Sequence, residues 1–163
     1  MATIDILREQ LVELVDGQGA HMPFDEAVAG FPDDAINQRP PNVPYTPWHL
    51  LEHVRIAQHD ILDYIVNRAY LAPSWPEEYW PAPDAAATPG DWARTVAAFR
   101  ADQRALRELV ADPATDLLAT IPGAPGHTLL REVRLVGDHN AYHIGEFAIL
   151  RQVMGTWPPG REE

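Results

Sequence analysis

Residues 128–154 read TLLREVRLVGDHNAYHIGEFAILRQVM. Leu129, Val133, Val136, His143, Phe147, Leu150 and Met154 recur at three- and four-residue steps, the period of one helix face. Gly155, Pro158 and Pro159 bring the run to an end. His139 and His143 form an i, i+4 pair on or beside this apolar stripe, so both imidazoles point inward. On a helix their Cβ atoms lie roughly 5–6 Å apart. Two imidazoles at that spacing can grip one metal ion, and Glu146 follows a turn later on the same side.

Three further segments carry the same period. From about Thr3 to Asp16, Ile4, Leu7, Leu11 and Leu14 form one stripe, and Gly17 and Gly19 stop it. A second helix starts at Thr46, a capping residue type, with Pro47 in its first turn. Leu50, Val54, Ala57, Ile61 and Ile65 make its stripe, and it runs to about Ala69. A third begins near Gly90 and Asp91, buries Trp92, Val96, Phe99, Leu106 and Val110, and closes at Asp112-Pro113. Residues 24–29 suggest a short extra helix before the proline-rich RPPNVPYTP of 39–47. No segment alternates as a strand would. Four amphipathic helices predict an all-α four-helix bundle, with residues 1–163 as one domain. The connection LAPSWPEEYWPAPDAAATPG, residues 71–90, is too rich in proline for a helix. A helix of about 23 residues is roughly 35 Å long. About twenty extended residues reach over 60 Å. The connection is therefore long enough to return along the bundle and set the second and third helices parallel.

Composition narrows the chemistry. A formal charge of −12 argues against a nucleic-acid partner, whose phosphates demand a basic face. Its plainest role is solubility. The chain has no cysteine, hence no disulfide, thiolate ligand or thiol nucleophile of its own. It has no lysine either, since all twelve basic residues are arginine, which excludes a Schiff base on lysine. No apolar run approaches a membrane helix, and Asp5, Arg8 and Glu9 stand where a signal peptide would be apolar. The expectation is a cytoplasmic protein.

The seven histidines are then the most versatile groups available. A lone His-x-x-x-His is a weak signal, because a histidine beside a helix stripe is usually just packed there. The second helix strengthens it. His53 lies near that helix's stripe, His49 lies further from it, and His59 points toward the surface. Inward imidazoles carry donors and acceptors that must be satisfied. A transition metal takes the lone pairs of His53, His139 and His143, and carboxylates or carbonyls take the N–H groups. Asp60, Asp138 and Glu146 are candidates for that support, with a solvated or capping role as the alternative. Other metal patterns fail: there is no HExxH and no Glu-x-x-His. His59-Asp60 would suit an HD-type phosphohydrolase only if His59 pointed inward.

YTPWHLLEHVRIAQHDIL (45–62), SWPEEYWP (74–81) and DHNAYHIGEFAILRQVMGTW (138–157) together resemble the DinB-like superfamily of four-helix-bundle proteins. The resemblance covers nearly the whole chain. It implies an up-down-down-up bundle, a metal triad on His53, His139 and His143, and a homodimer. Some members of that superfamily, a mycothiol-dependent isomerase and a bacillithiol transferase among them, present a small thiol to a metal as thiolate. A chain without cysteine is compatible with a low-molecular-weight thiol cofactor.

Two functions follow as expectations. One is a metal-dependent enzyme acting on a small molecule, either an S-transferase or a hydrolase, whose three histidines leave a position open on zinc, nickel or another divalent metal. The other is a non-catalytic, metal-stabilised binding module, with Trp75, Tyr79 and Trp80 as a protein contact or as pins for their loop. The segments 17–45 and 71–90 should rim the site at the N-terminal end of the second helix, with His21 and Trp80 near its mouth.

Overall fold

Helices form where the apolar period runs, and the three long ones begin at threonines. The computed structural model describes residues 3–158. It contains α1 (Thr3–Val15), α2 (Phe24–Val28), α3 (Pro47–Val66), α4 (Pro89–Ala111) and α5 (Leu129–Met154). Thr46, Thr88 and Thr128 each accept a hydrogen bond from the backbone N–H three residues on, satisfying a donor that the first turn would leave unpaired. Pro47 and Pro89 occupy first-turn positions where no N–H is needed. Gly155, at φ 62°, ends α5 in the left-handed conformation and donates back to Arg151 and Gln152. Among the described residues there is no strand, only an isolated bridge between Thr120 and Thr128. Of the two prolines expected after α5, Pro159 lies outside the described residues, as do both ends of the 1–163 domain.

Four helices pack pairwise: α3 against α4 and α5, and α1 against α4 and α5. Cross-links reveal their relative direction. Trp48 donates to Thr95, Gln58 to the Phe99 carbonyl, and His59 meets Asp102, so positions rise together along α3 and α4. Between α3 and α5 they run oppositely, with His53 beside His143 and Gln58 beside Asn140. Where α1 crosses α5, Gly137 allows close approach: a Cβ there would lie 2.5 Å from Leu14 Cγ.

Two buried clusters fill the bundle. One joins Phe24, Phe31, Leu50, Val54, Phe99, Ile144 and Phe147, and the other joins Leu11, Leu62, Leu106, Val110, Val133 and Val136. Ile4, expected on the α1 stripe, is 41% exposed. The reason is the length of the neighbour. Arg8 already reaches the carbonyls of Val110 and Thr115 at the C-terminal end of α4, so Ile4, a turn earlier, projects past it. The second helix of the sequence reading stops at Val66, short of Ala69, where the Asn67 N–H bonds back to Asp63.

The proline-rich connection from α3 to α4 is irregular apart from one 3₁₀ turn at Glu77–Tyr79. It is tied to the segment before α3. Asn37 exchanges two hydrogen bonds with Ala87, and Arg39 donates to the Pro83 carbonyl. Both long segments therefore meet at the end where α3 begins.

Candidate metal centre

His53 lies about two turns into α3 and is 2% exposed. His139 and His143 lie one turn apart on α5, facing it. The three offer ring nitrogens that all fall within 4.8 Å of one another. The stripe reading of the sequence thus brings together the residues it singled out.

Their partners decide the protonation of two rings. His53 Nδ1 is 2.8 Å from the Tyr79 carbonyl oxygen. A carbonyl only accepts, so Nδ1 carries the proton and Nε2 is a bare lone pair. His143 Nδ1 is 2.7 Å from Glu146 Oε2, which likewise accepts. Its Nε2 is the nitrogen turned toward His53. Those two Nε2 atoms face each other at 3.3 Å. A proton or a metal ion between them relieves the repulsion of two facing lone pairs. Metal–nitrogen bonds of about 2.0–2.1 Å in tetrahedral geometry place two ligand nitrogens roughly 3.3 Å apart. The donor set fits one divalent transition metal on separation and on chemistry.

The electrostatics disfavour charge on two of the imidazoles. Burial, reinforced by His143 and His53, pushes the His139 pKa down to about 4. Burial also lowers that of His53. Glu146 is held below the usual carboxylate range, first by the hydrogen bond from His143 and against the cost of its own burial. Its other oxygen accepts the Tyr45 hydroxyl, whose pKa is raised by burial and then by Glu146. Tyr45 is thus a neutral donor that fixes the carboxylate in place.

An aromatic wall closes one side. The Trp80 ring lies on the His53 ring with centroids 3.9 Å apart and planes within 4°. Tyr45 stacks on Trp80 in turn. Of the loop aromatics, Trp80 and Tyr79 pin the connection, while Trp75 is 69% exposed and touches Tyr79.

The remaining candidates have other duties. His49 is the third residue of the α3 cap, and its Nδ1 accepts the Thr46 N–H. Its Nε2 binds the Ala82 carbonyl, so neither nitrogen is free for the centre. Among the described residues Asp60 makes no hydrogen bond to a histidine. It accepts the hydroxyls of Tyr70 and Tyr79, and so steadies the residue whose carbonyl holds His53. Asp138 is exposed, and its side chain makes no hydrogen bond among the described residues. His59 is on the surface against Asp102, and His21 bonds to the Met22 carbonyl. Sequence reasoning missed Tyr45 and the Tyr79 carbonyl. No periodicity marks a residue before a helix or a backbone oxygen in a loop.

One pH effect follows. An unfolded histidine takes its proton near its ordinary value of 6.5, whereas folded His139 resists protonation down to about 4. The unfolded state therefore binds more protons between those values, and stability falls as pH falls through that window. The lowered pKa of His53 acts in the same direction. Urea midpoints of metal-free protein should drop from pH 6.5 to 4, and His139→Leu should flatten that drop. An identical slope in the variant would refute the assignment.

A family model described as the DinB superfamily matches residues 18–147, a span that contains all three histidines and Glu146. No curated protein and no solved structure matches the chain. No helix among the described residues is long and apolar enough to cross a membrane. With a family match over most of its length, the chain belongs to the DinB superfamily.

Proposed function

We propose that His53, His139 and His143 hold one divalent transition metal, zinc in the first instance, and that the chain is a metal-dependent enzyme acting on a small molecule. The observation that carries this reading is the facing pair of Nε2 atoms on His53 and His143, 3.3 Å apart, each with its Nδ1 committed to an acceptor, and His139 beside them. Three protein ligands leave a position for water or substrate. A bound metal there supplies Lewis acidity and stabilises a ligand in its deprotonated form. The chain supplies the rest. Glu146 and the Tyr79 carbonyl hold the imidazole protons on Nδ1, Tyr45 holds Glu146, and Trp80 keeps water off the His53 face.

Transfer to or from a low-molecular-weight thiol and metal-assisted hydrolysis are the two reaction classes this arrangement serves. Protein purified without a histidine tag should carry one divalent metal per chain by elemental analysis. A screen of small-thiol conjugation and ester or amide hydrolysis should then find turnover that a chelator abolishes. Full metal content with no turnover would favour the metal-stabilised binding module instead.

The same reading includes an up-down-down-up bundle in one cytoplasmic domain. The helix order is supported by the parallel cross-links of α3 with α4 and the opposed ones of α3 with α5. It also includes a homodimer through the outer face of α5, where Tyr142, Ile149 and Val153 stand 72%, 66% and 59% exposed. Light scattering giving a mass near the 18.2 kDa of one chain across micromolar concentrations would rule the dimer out.

A further inference from the structure

His53 and His143 each have a clear partner for the Nδ1 proton, whereas His139 has none with full hydrogen-bond geometry. Beside it, two buried amides cross the bundle. Asn140 on α5 is 7% exposed and Gln58 on α3 is 1% exposed. Amides this deep require partners. Gln58 Nε2 donates to the Phe99 carbonyl at 2.8 Å. Because that carbonyl only accepts, the orientation of Gln58 is determined, and its Oε1 points away from Phe99. Asn140 Nδ2 donates to that Oε1 at 2.8 Å. The orientation of Asn140 is determined in turn, leaving its Oδ1 as an acceptor.

Asn140 Oδ1 and His139 Nδ1 are both buried and both lack a full partner. They belong to neighbouring residues of α5. One is an acceptor by elimination, and the other can donate. A hydrogen bond between them would satisfy both.

We propose that Gln58 and Asn140 form a positioning relay, anchored on the Phe99 carbonyl, that holds the His139 proton on Nδ1 and leaves Nε2 a bare lone pair. A neutral imidazole is otherwise free to take either tautomer. The relay completes for His139 what Tyr79 and Glu146 do for the other two rings. Its purpose rests on the metal reading above, but its existence does not, so the two can fail separately.

The test uses the full-length, metal-free protein labelled with ¹⁵N in its imidazoles, with tautomers read by long-range ¹H–¹⁵N spectra at mildly alkaline pH. Wild-type His139 should be protonated at Nδ1 and bare at Nε2. Asn140→Leu should yield a mixture or the opposite tautomer. Asn140→Asp, which keeps the acceptor, should restore the wild-type pattern. Gln58→Leu should weaken it by freeing Asn140 to turn. Cobalt(II) binding, followed by its visible absorption, should weaken by about 10–100-fold in Asn140→Leu and recover in Asn140→Asp. A wild-type His139 protonated at Nε2 overturns the relay without any variant having to fold. An unchanged tautomer in Asn140→Leu also overturns it. Wild-type protein with the expected tautomer but no cobalt uptake overturns the metal reading and leaves the relay standing.

Discussion

His143→Ala should reduce a stoichiometric metal content to traces, while His49→Ala should leave it intact. The two residues look alike in sequence, since each belongs to an i, i+4 histidine pair on an amphipathic helix. Their nitrogens are used differently. His143 spends Nδ1 on Glu146 and keeps Nε2 for the centre. His49 spends Nδ1 on the Thr46 cap and Nε2 on the Ala82 carbonyl. Removing His143 deletes a ligand, and the cost should exceed the roughly 10–100-fold expected from losing an outer partner such as Glu146. Removing His49 deletes part of a cap, which should cost stability of about 1 kcal/mol and no metal. Elemental analysis of tag-free protein, with circular dichroism to verify folding, separates the two. Full metal in His143→Ala, or its loss in His49→Ala, would reverse the assignment.

This contrast marks how far the sequence could be read. The helices were legible because burial of a stripe imposes a three- and four-residue period, which Leu50, Val54, Phe99, Val133 and Phe147 follow. The clustering of His53, His139 and His143 was legible from the same period together with the family resemblance, since side chains that meet between core-facing helices must share that period. His49 was set aside by its distance from the stripe. Its actual use was readable too, because it stands three residues after the capping Thr46, where a capping box places its second member. Partners across the fold were not legible. Tyr45 meets Glu146 from 101 positions away, and His53 meets a backbone carbonyl in a proline-rich loop. A search for apolar periodicity also passes over buried polar residues. Gln58, Glu132, Asn140 and Arg151 are all at least nine-tenths buried, yet each reads as a surface residue by type. Asp138 takes the solvated role that stood as the alternative: one position from His139 in sequence, it turns to solvent on the helix.

Arg151 carries the largest stability effect to be expected from a single site away from the metal. It is fully buried on α5, with 0% exposure. Its guanidinium donates to the carbonyls of Ala27, Ala29 and Thr156 at 2.7, 2.8 and 2.7 Å. It also lies 4.0 Å from the Trp157 ring centroid, a cation–π contact. These contacts tie three pieces to α5: the end of α2, the turn after it, and the chain beyond α5. Arg151→Ala leaves buried carbonyls without their donor, at roughly 1–3 kcal/mol each before any relaxation, and opens a cavity. A net loss of about 3–5 kcal/mol is expected, or a melting temperature lower by roughly 10 °C or more for a domain of this size. Arg151→Lys keeps the charge but not the planar fork that reaches several carbonyls at once, so it should recover only part of the loss. Urea denaturation of the two variants checks both points. A change under about 1 kcal/mol in Arg151→Ala would mean that water replaces the guanidinium at little cost and that α2 is held by its apolar contacts with Leu50, Phe99 and Phe147 alone.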